Sequence, residues 1–111
     1  MLNRAALTVK PLEPFFQWAK SLDDSDLIPG EEDESTVYLV PYILSDQHEK
    51  DILKLVYAEI FERELFEWHT EESEWPKKRT LAMFKKWFKY EFHSIVEDLC
   101  SYPILREDGD A

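Results

Sequence analysis

Four side chains have the types that acid–base chemistry uses: Glu64, Arg79, Glu91 and His93. Two carboxylates beside an arginine can act as general acid and base when their surroundings shift one pKa. The chain offers them little support, because it has two glycines in total and no glycine-rich phosphate loop or nucleophile elbow. An enzyme acting on a small anionic or amide-bearing molecule through these four residues is therefore an alternative, and no catalytic residue is assigned.

Glu64 is the least expected of the four, because it falls within the apolar arc of a predicted helix. No glycine or proline interrupts residues 47–68, and Ser45 or Asp46 can cap this first helix. A carboxylate inside a core is costly unless it is paired and hydrogen-bonded. We therefore expect a partly buried Glu64 that is held by Arg79. The alternative is that Glu64 lies at the end of the apolar arc and its carboxylate extends into solvent. The arc itself consists of Leu53, Val56, Tyr57, Ile60, Phe61, Leu65 and Trp68.

A second long helix is predicted after the turn at residues 71–76. Thr80 is a suitable cap, and large apolar residues then recur at spacings of three and four. This seam consists of Leu81, Phe84, Phe88, Phe92, Ile95 and Leu99. Because the connection is short, the two helices should be antiparallel neighbours that pack through their apolar faces. Glu91 lies at one edge of the seam, and His93 joins a basic flank.

The first forty residues predict two strands and a short helix. Ala5, Leu7 and Val9 alternate with Ala6, Thr8 and Lys10, the two-residue period of a strand with one buried face. Pro14 suits the first turn of a helix, and Thr36–Val40 is rich in β-branched and aromatic residues. The predicted fold is α+β, in the order β-α-β-α-α, with a two-stranded sheet packed on a long antiparallel helical hairpin. Residues 1–105 form a single domain, and residues 106–111 form a frayed acidic tail. The strand direction is left open.

Metals, cofactors and membranes are not expected. Cys100 is the only cysteine, so the chain has neither an internal disulfide nor a cysteine zinc site, and an inert buried thiol is expected. The three histidines lack metal-site spacing, and the start of the chain lacks the apolar run of a signal peptide. No apolar stretch approaches the roughly 18 residues that a membrane span needs. A cytoplasmic protein with no metal and no cofactor is the expectation.

Charge indicates the class of partner. The formal net charge is −11, and residues 21–49 contain no lysine or arginine. The acids of one segment there are Asp23, Asp24, Asp26, Glu31, Glu32, Asp33 and Glu34. With Trp75 in the following turn, they form the candidate surface of a non-catalytic interaction or regulatory module that binds a basic patch on another protein. Alternatively, the acids mimic nucleic acid and bind a DNA-binding protein. A homodimer is a further alternative, formed through a strand edge or through the unused part of the first helix.

The local charge is positive over residues 77–89, which contain basic residues and no acid. These cations are Lys77, Lys78, Arg79, Lys85, Lys86 and Lys89. Internal neutralisation by nearby glutamates explains them simply. With Trp75 and Trp87 they could instead grip single-stranded nucleic acid by charge and stacking. The overall negative charge makes nucleic acid an unfavoured partner.

Several segments together resemble a family of short bacterial proteins of unknown function. They are residues 2–11 (LNRAALTVKP), Pro14-Phe15 with Trp18, Val37–Pro41, Trp75-Pro76 with Arg79-Thr80, and the aromatic positions 84, 87, 88 and 92, with His93. The Trp-Pro-x-x-Arg-Thr element is the most specific part, and the likeness covers nearly the whole chain. It implies a bacterial cytoplasmic origin and supplies no activity, cofactor or binding residue.

Overall fold

The computed structural model describes residues 1–22 and 35–107 of the 111-residue chain. The described elements are β1 (Arg4–Pro11), α1 (Glu13–Leu22), β2 (Thr36–Pro41), α2 (Asp46–Trp68), a 3₁₀ turn (Glu72–Glu74), α3 (Leu81–Trp87) and β3 (Phe88–His93). Residues 94–107 contain neither helix nor strand. The α+β class is confirmed, but the predicted order β-α-β-α-α is wrong, because a third strand follows α3.

β1 is the central strand of one antiparallel sheet with the order β2-β1-β3. Leu7 lies opposite Tyr38 on one side and Phe92 on the other. Residues directly opposite each other share a face of the sheet, so these three side chains point the same way. Leu7 and its face-mates Ala5 and Val9 are fully buried. The predicted two-stranded sheet is therefore wrong, and the sheet buries one face of three strands.

The second predicted helix is also wrong beyond Trp87. Phe84, Phe88 and Phe92 are spaced by four residues, and this spacing fits both the helical period and twice the strand period. Tyr90 decides between them: on a helix it would point away from Phe88, whereas on a strand it shares the face of Phe88. In β3, Phe88, Tyr90 and Phe92 are the less exposed residues, and the alternate residues are exposed. Aromatic residues also favour strands.

The two predicted helix caps are confirmed. Ser45 Oγ accepts a hydrogen bond from the backbone N of His48 at 3.1 Å, and α2 begins at Asp46, directly after Ser45. Thr80 Oγ1 accepts from the backbone N of Met83 at 3.1 Å and so begins α3. α2 is the longest helix, with 23 residues. Among the helices within residues 1–22 and 35–107, none combines the length and the apolar composition needed to cross a bilayer.

An aromatic cluster joins α1, α2 and α3 to the sheet. Phe61 of α2 packs edge-on against Phe84 and Phe88, with ring centroids 6.1 and 5.2 Å apart. Phe15 of α1 contacts Phe88 at 5.5 Å. The rings of Phe61, Phe84 and Phe88 are buried, and each aromatic side chain removes about 150–250 Å² from water. The predicted packing of the 81–99 seam on α2 is therefore confirmed only for its first part, through Phe84 and Phe88. It is wrong for Ile95 and Leu99, which are 71% and 97% exposed.

Candidate functional site

The carboxylate of Glu64 is buried between α2 and the sheet. The residue is 6% exposed, and its Oε2 accepts hydrogen bonds from the hydroxyls of Tyr38 at 2.8 Å and Thr36 at 3.2 Å. Thr36 and Tyr38 are two residues apart on β2, so both side chains point to the face that α2 covers. Glu64 lies one turn after Ile60 and beside Leu65, both buried residues of α2. The cluster joins the edge strand β2 to the longest helix.

Burial is the main influence on both titratable members of this cluster. It raises the pKa of Glu64, while the hydrogen bonds from Tyr38 and Thr36 oppose that rise and the nearby Glu67 adds to it. Burial, and then the negative charge of Glu64, raise the pKa of Tyr38. The Tyr38 hydroxyl therefore stays protonated and acts as the donor. Two hydroxyl donors to one carboxylate make a structural anchor.

Arg79 lies elsewhere, so the expected pair with Glu64 is absent from the ion pairs of residues 1–22 and 35–107. Its Nη2 donates to Glu62 Oε1 at 3.0 Å, and its Nη1 donates to the carbonyl of Pro76 at 2.7 Å. The guanidinium also lies 5.9 Å from the centre of the Trp75 ring. Glu62 is on the opposite side of α2 from Glu64, about 200° around the helix. Arg79 thus fastens the turn at residues 75–79 to the outer side of α2.

Glu91 and His93 lie on the sheet face that points away from Glu64. Thr8 pairs with Glu91 across β1 and β3, while Leu7 and Phe92, one residue along, are on the face that covers the core. Thr8 Oγ1 donates to the carbonyl of Glu91 at 3.3 Å and contacts His93 Nε2 at 3.4 Å. The sheet itself separates these residues from Glu64. The cleft in which Arg79, Glu64, Glu91 and His93 would converge is therefore not formed.

The expected partner surface is only partly within the described chain. Residues 23–34, which hold Asp23, Asp24, Asp26, Glu31, Glu32, Asp33 and Glu34, lie outside the described residues. Trp75 is described and is buried, at 6% exposed, with its Nε1 donating to the carbonyl of His69 at 2.7 Å. Its ring lies under the turn, and only a small part of it reaches the surface, contrary to the expectation of an exposed recognition residue. Cys100 is exposed instead of buried, because residues 94–107 do not continue a core helix.

The two tryptophans expected to stack on nucleic acid are occupied by the protein itself. Trp75 is buried, and Trp87 packs against Phe15 and Phe61 with ring centroids 6.1 and 5.6 Å apart. The lysines of residues 77–89 therefore have neither of these two rings as a fully exposed platform. This arrangement argues against base stacking on Trp75 and Trp87 in the single-stranded nucleic-acid alternative.

One exposed surface was identified from the sequence only as the unused part of the first helix, available to a homodimer. Leu55, Glu59, Glu62 and Phe66 follow one another on α2 at spacings of four, three and four residues, so they form one row along the helix. Leu55 is 75% exposed and Phe66 is 54% exposed. We call these four residues the α2 stripe. The signal was present in the sequence: Leu55 and Phe66 lie outside the main apolar arc, an arrangement typical of a second covered side.

The α2 stripe borders a shallow cleft of about 390 Å³. The cleft is lined by Glu59, Glu62, Arg63, Phe66, Glu67 and Trp75. Arg63 Nη2 bonds Glu59 Oε1 at 3.2 Å, and both side chains are largely exposed. Exposed pairs of this kind hold their partners weakly. The lining therefore combines three acids and one arginine, a net charge of −2, with the aromatic ring of Phe66.

No group of three or more histidine, cysteine, aspartate or glutamate side chains in residues 1–22 and 35–107 is arranged to hold a metal ion. Comparison with protein-family models, with curated proteins and with solved structures found no match for this chain. The resemblance to short bacterial proteins therefore stays a prediction.

Proposed function

We propose that this protein is a non-catalytic interaction module, and that the α2 stripe binds a basic segment of another protein. The observation that carries the proposal is the exposure of Leu55 and Phe66 at the two ends of a row of carboxylates. Two large apolar side chains aligned on a charged helix face are typical of recognition sites, in which apolar anchors give affinity and a polar surround gives orientation.

The dimensions of the stripe define the ligand. Leu55 and Phe66 are eleven residues apart, which is about 17 Å along a helix axis. An amphipathic helix of three turns spans that distance and can present apolar residues at both ends. Lysine or arginine side chains between its apolar residues would meet Glu59 and Glu62. The Glu62 carboxylate already binds Arg79, which shows that it can hold a guanidinium at 3.0 Å.

Charge favours the same partner. The chain carries −11, and the acids of residues 23–34 add to the negative field whatever their placement. A strong negative field raises the association rate of a basic ligand and makes the rate fall with salt. The apolar residues within the α2 stripe favour a protein ligand over a purely electrostatic role such as imitating nucleic acid.

We also propose a cytoplasmic location. Cys100 is a single cysteine, and its thiol is exposed. Reducing compartments keep such thiols free, whereas secreted proteins commonly pair their cysteines. Alkylation of Cys100 in intact cells, followed by mass spectrometry, checks the thiol state: a free thiol supports this location, and a disulfide-linked or glutathione-linked Cys100 contradicts it.

The proposal can be tested with a phage-displayed library of random peptides about 16 residues long. We expect the selected peptides to carry several lysines or arginines and apolar residues at helical spacing. In calorimetry, Leu55→Ala and Phe66→Ala should each lower the affinity for a selected peptide at least tenfold. Leu44→Ala is the matched control, because Leu44 is equally exposed but precedes α2. Failure to enrich any basic sequence, or peptides that bind the Leu55→Ala/Phe66→Ala protein equally well, would refute the proposal.

A further inference from the structure

The last described segment, residues 94–107, carries large apolar side chains that the rest of the described chain leaves exposed. We call this segment the C-terminal arm. Its exposed apolar residues are Ile95 (71%), Leu99 (97%), Tyr102 (70%), Ile104 (65%) and Leu105 (78%). Single exposed apolar residues are ordinary, but five in fourteen residues form a concentration that marks an interaction surface.

The arm leaves the sheet from a fixed point. The backbone N of Leu2 donates to the carbonyl of Val96 at 2.7 Å, beyond Ala6 and His93, the last residues at which β1 pairs with β3. The amino group of Met1 also lies 3.1 Å from Glu97 Oε2. The direction of the arm is therefore set where it begins. From Leu99 onward its large apolar side chains are exposed.

The same chain presents a second uncovered apolar surface, on the sheet face opposite the core. Val37 and Leu39 of β2 point to this face and are 61% and 50% exposed. Leu39 lies opposite Ala6, and Ala6 lies opposite His93. Leu39, Ala6 and His93 form one row across this face, and Ala6, at 8% exposed, is the small residue between two larger neighbours. We call this surface the open sheet face.

The arm and the open sheet face have opposite charges. Residues 94–107 contain three acids, Glu97, Asp98 and Glu107, and one arginine, so the net charge of the arm is −2. At the strand positions that point to the open face, Arg4 and Lys89 outnumber the single acid Glu91. Each surface thus combines apolar side chains with the charge that the other one lacks.

We propose that the C-terminal arm of one copy of this chain docks on the open sheet face of a second copy, and that the exchange is reciprocal. Two-fold symmetry makes this economical, because one rotation covers both arms and both faces together. The leucines and isoleucines of the arm lie over Val37, Leu39 and Ala6, and the acids of the arm meet the cations at the rim. The α2 stripe, on the other side of the sheet, remains available, so this dimer does not depend on the proposed function.

Light scattering during gel filtration tests the proposal with the full chain. At tens of micromolar we expect a particle of twice the 13.3 kDa chain mass. Leu99→Asp, on the arm, and Leu39→Asp, on the receiving face, should each give a monomer. Both side chains are exposed in the single copy, so both variants should keep the far-ultraviolet circular dichroism of the parent. Leu55→Asp is the control, because its exposed leucine lies on α2 outside the proposed interface, and it should remain a dimer.

Three results would overturn the proposal. The first is a parent protein that is monomeric at these concentrations. The second is a dimer that survives Leu99→Asp. The third is a dimer that Leu99→Asp dissociates but Leu39→Asp does not, because the arm would then bind a surface other than the open sheet face.

Discussion

The Tyr38 hydroxyl donates a 2.8 Å hydrogen bond to the buried Oε2 of Glu64 and so joins an edge strand to the longest helix. Thr36 adds a second donor at 3.2 Å from the same strand. Glu64 sits within the apolar side of α2, where an unpaired carboxylate would be costly. The two hydroxyls reduce that cost, and they do so only while β2 keeps its register against β1.

Tyr38→Phe should destabilise the fold by about 1.5–3 kcal/mol, the range for a hydrogen bond to a charged group. The change leaves the ring in place and removes one of two donors to a buried carboxylate. Urea unfolding at neutral pH measures the loss. Tyr42→Phe is a matched control at an exposed tyrosine, and it should change the free energy of unfolding by no more than about 0.5 kcal/mol. An equal effect of the two variants would contradict the anchoring role of Tyr38.

Glu64 should make stability depend on pH in a defined direction. Burial raises its pKa in the folded state above the ordinary value of 4.5. The folded state therefore binds the proton more tightly, and the stabilising contribution is complete below pH 4.5 and lost as the pH rises through the folded pKa. Within that window the free energy of unfolding should fall by at most about 1.4 kcal/mol per pH unit relative to Glu64→Gln. If the free energy of unfolding varied with pH in the same way for the parent and for Glu64→Gln, this prediction would be wrong.

Glu64 and Arg79 should behave independently, because they share no hydrogen-bond partner in the described chain. Arg79→Lys loses the two-pronged contact with Glu62 and the Pro76 carbonyl, and should cost about 1 kcal/mol. Combined with Glu64→Gln, the effects should add within about 0.5 kcal/mol in urea unfolding. A coupling energy above 1 kcal/mol in this double-mutant cycle would show that the two side chains pair after all.

Two leucines on α2 provide a direct contrast between core and surface. Leu65 is fully buried, whereas Leu55 is 75% exposed. Leu65→Ala should cost about 2–5 kcal/mol, because it removes buried atoms and leaves a cavity. Leu55→Ala should leave the free energy of unfolding nearly unchanged while weakening the selected peptides. If thermal unfolding showed similar losses for both, the assigned orientation of α2 would be wrong.

The sequence supported most of the local structure and missed one change of period. The caps at Ser45 and Thr80, the strands at residues 4–11 and 36–41, and the first long helix follow from local chemistry, and the structure contains them. The spacing of Phe84, Phe88 and Phe92 is compatible with either period, so the end of α3 could not be read from these residues. The pairing of β3 with β1 across about eighty residues decided it.

The site shows the same division between local and long-range information. The helical wheel places Glu64 among apolar residues, and the structure buries it. Its donors, Thr36 and Tyr38, lie more than twenty-five residues upstream on a strand. No spacing within α2 could identify these donors. Arg79 was predicted instead, because an arginine is the usual partner of a buried acid. Phe66 and Leu55 were visible as residues outside the arc, but a second covered side and an exposed stripe look alike in a sequence.

The most direct test of the α2 stripe as a recognition surface is a nuclear magnetic resonance titration of the ¹⁵N-labelled full chain with a selected basic peptide. We expect shift changes concentrated at exposed positions of residues 51–67, with the largest near Phe66, and their loss in Phe66→Ala. Shift changes confined to the sheet or to residues 94–107, or an unchanged response in Phe66→Ala, would contradict the proposed site.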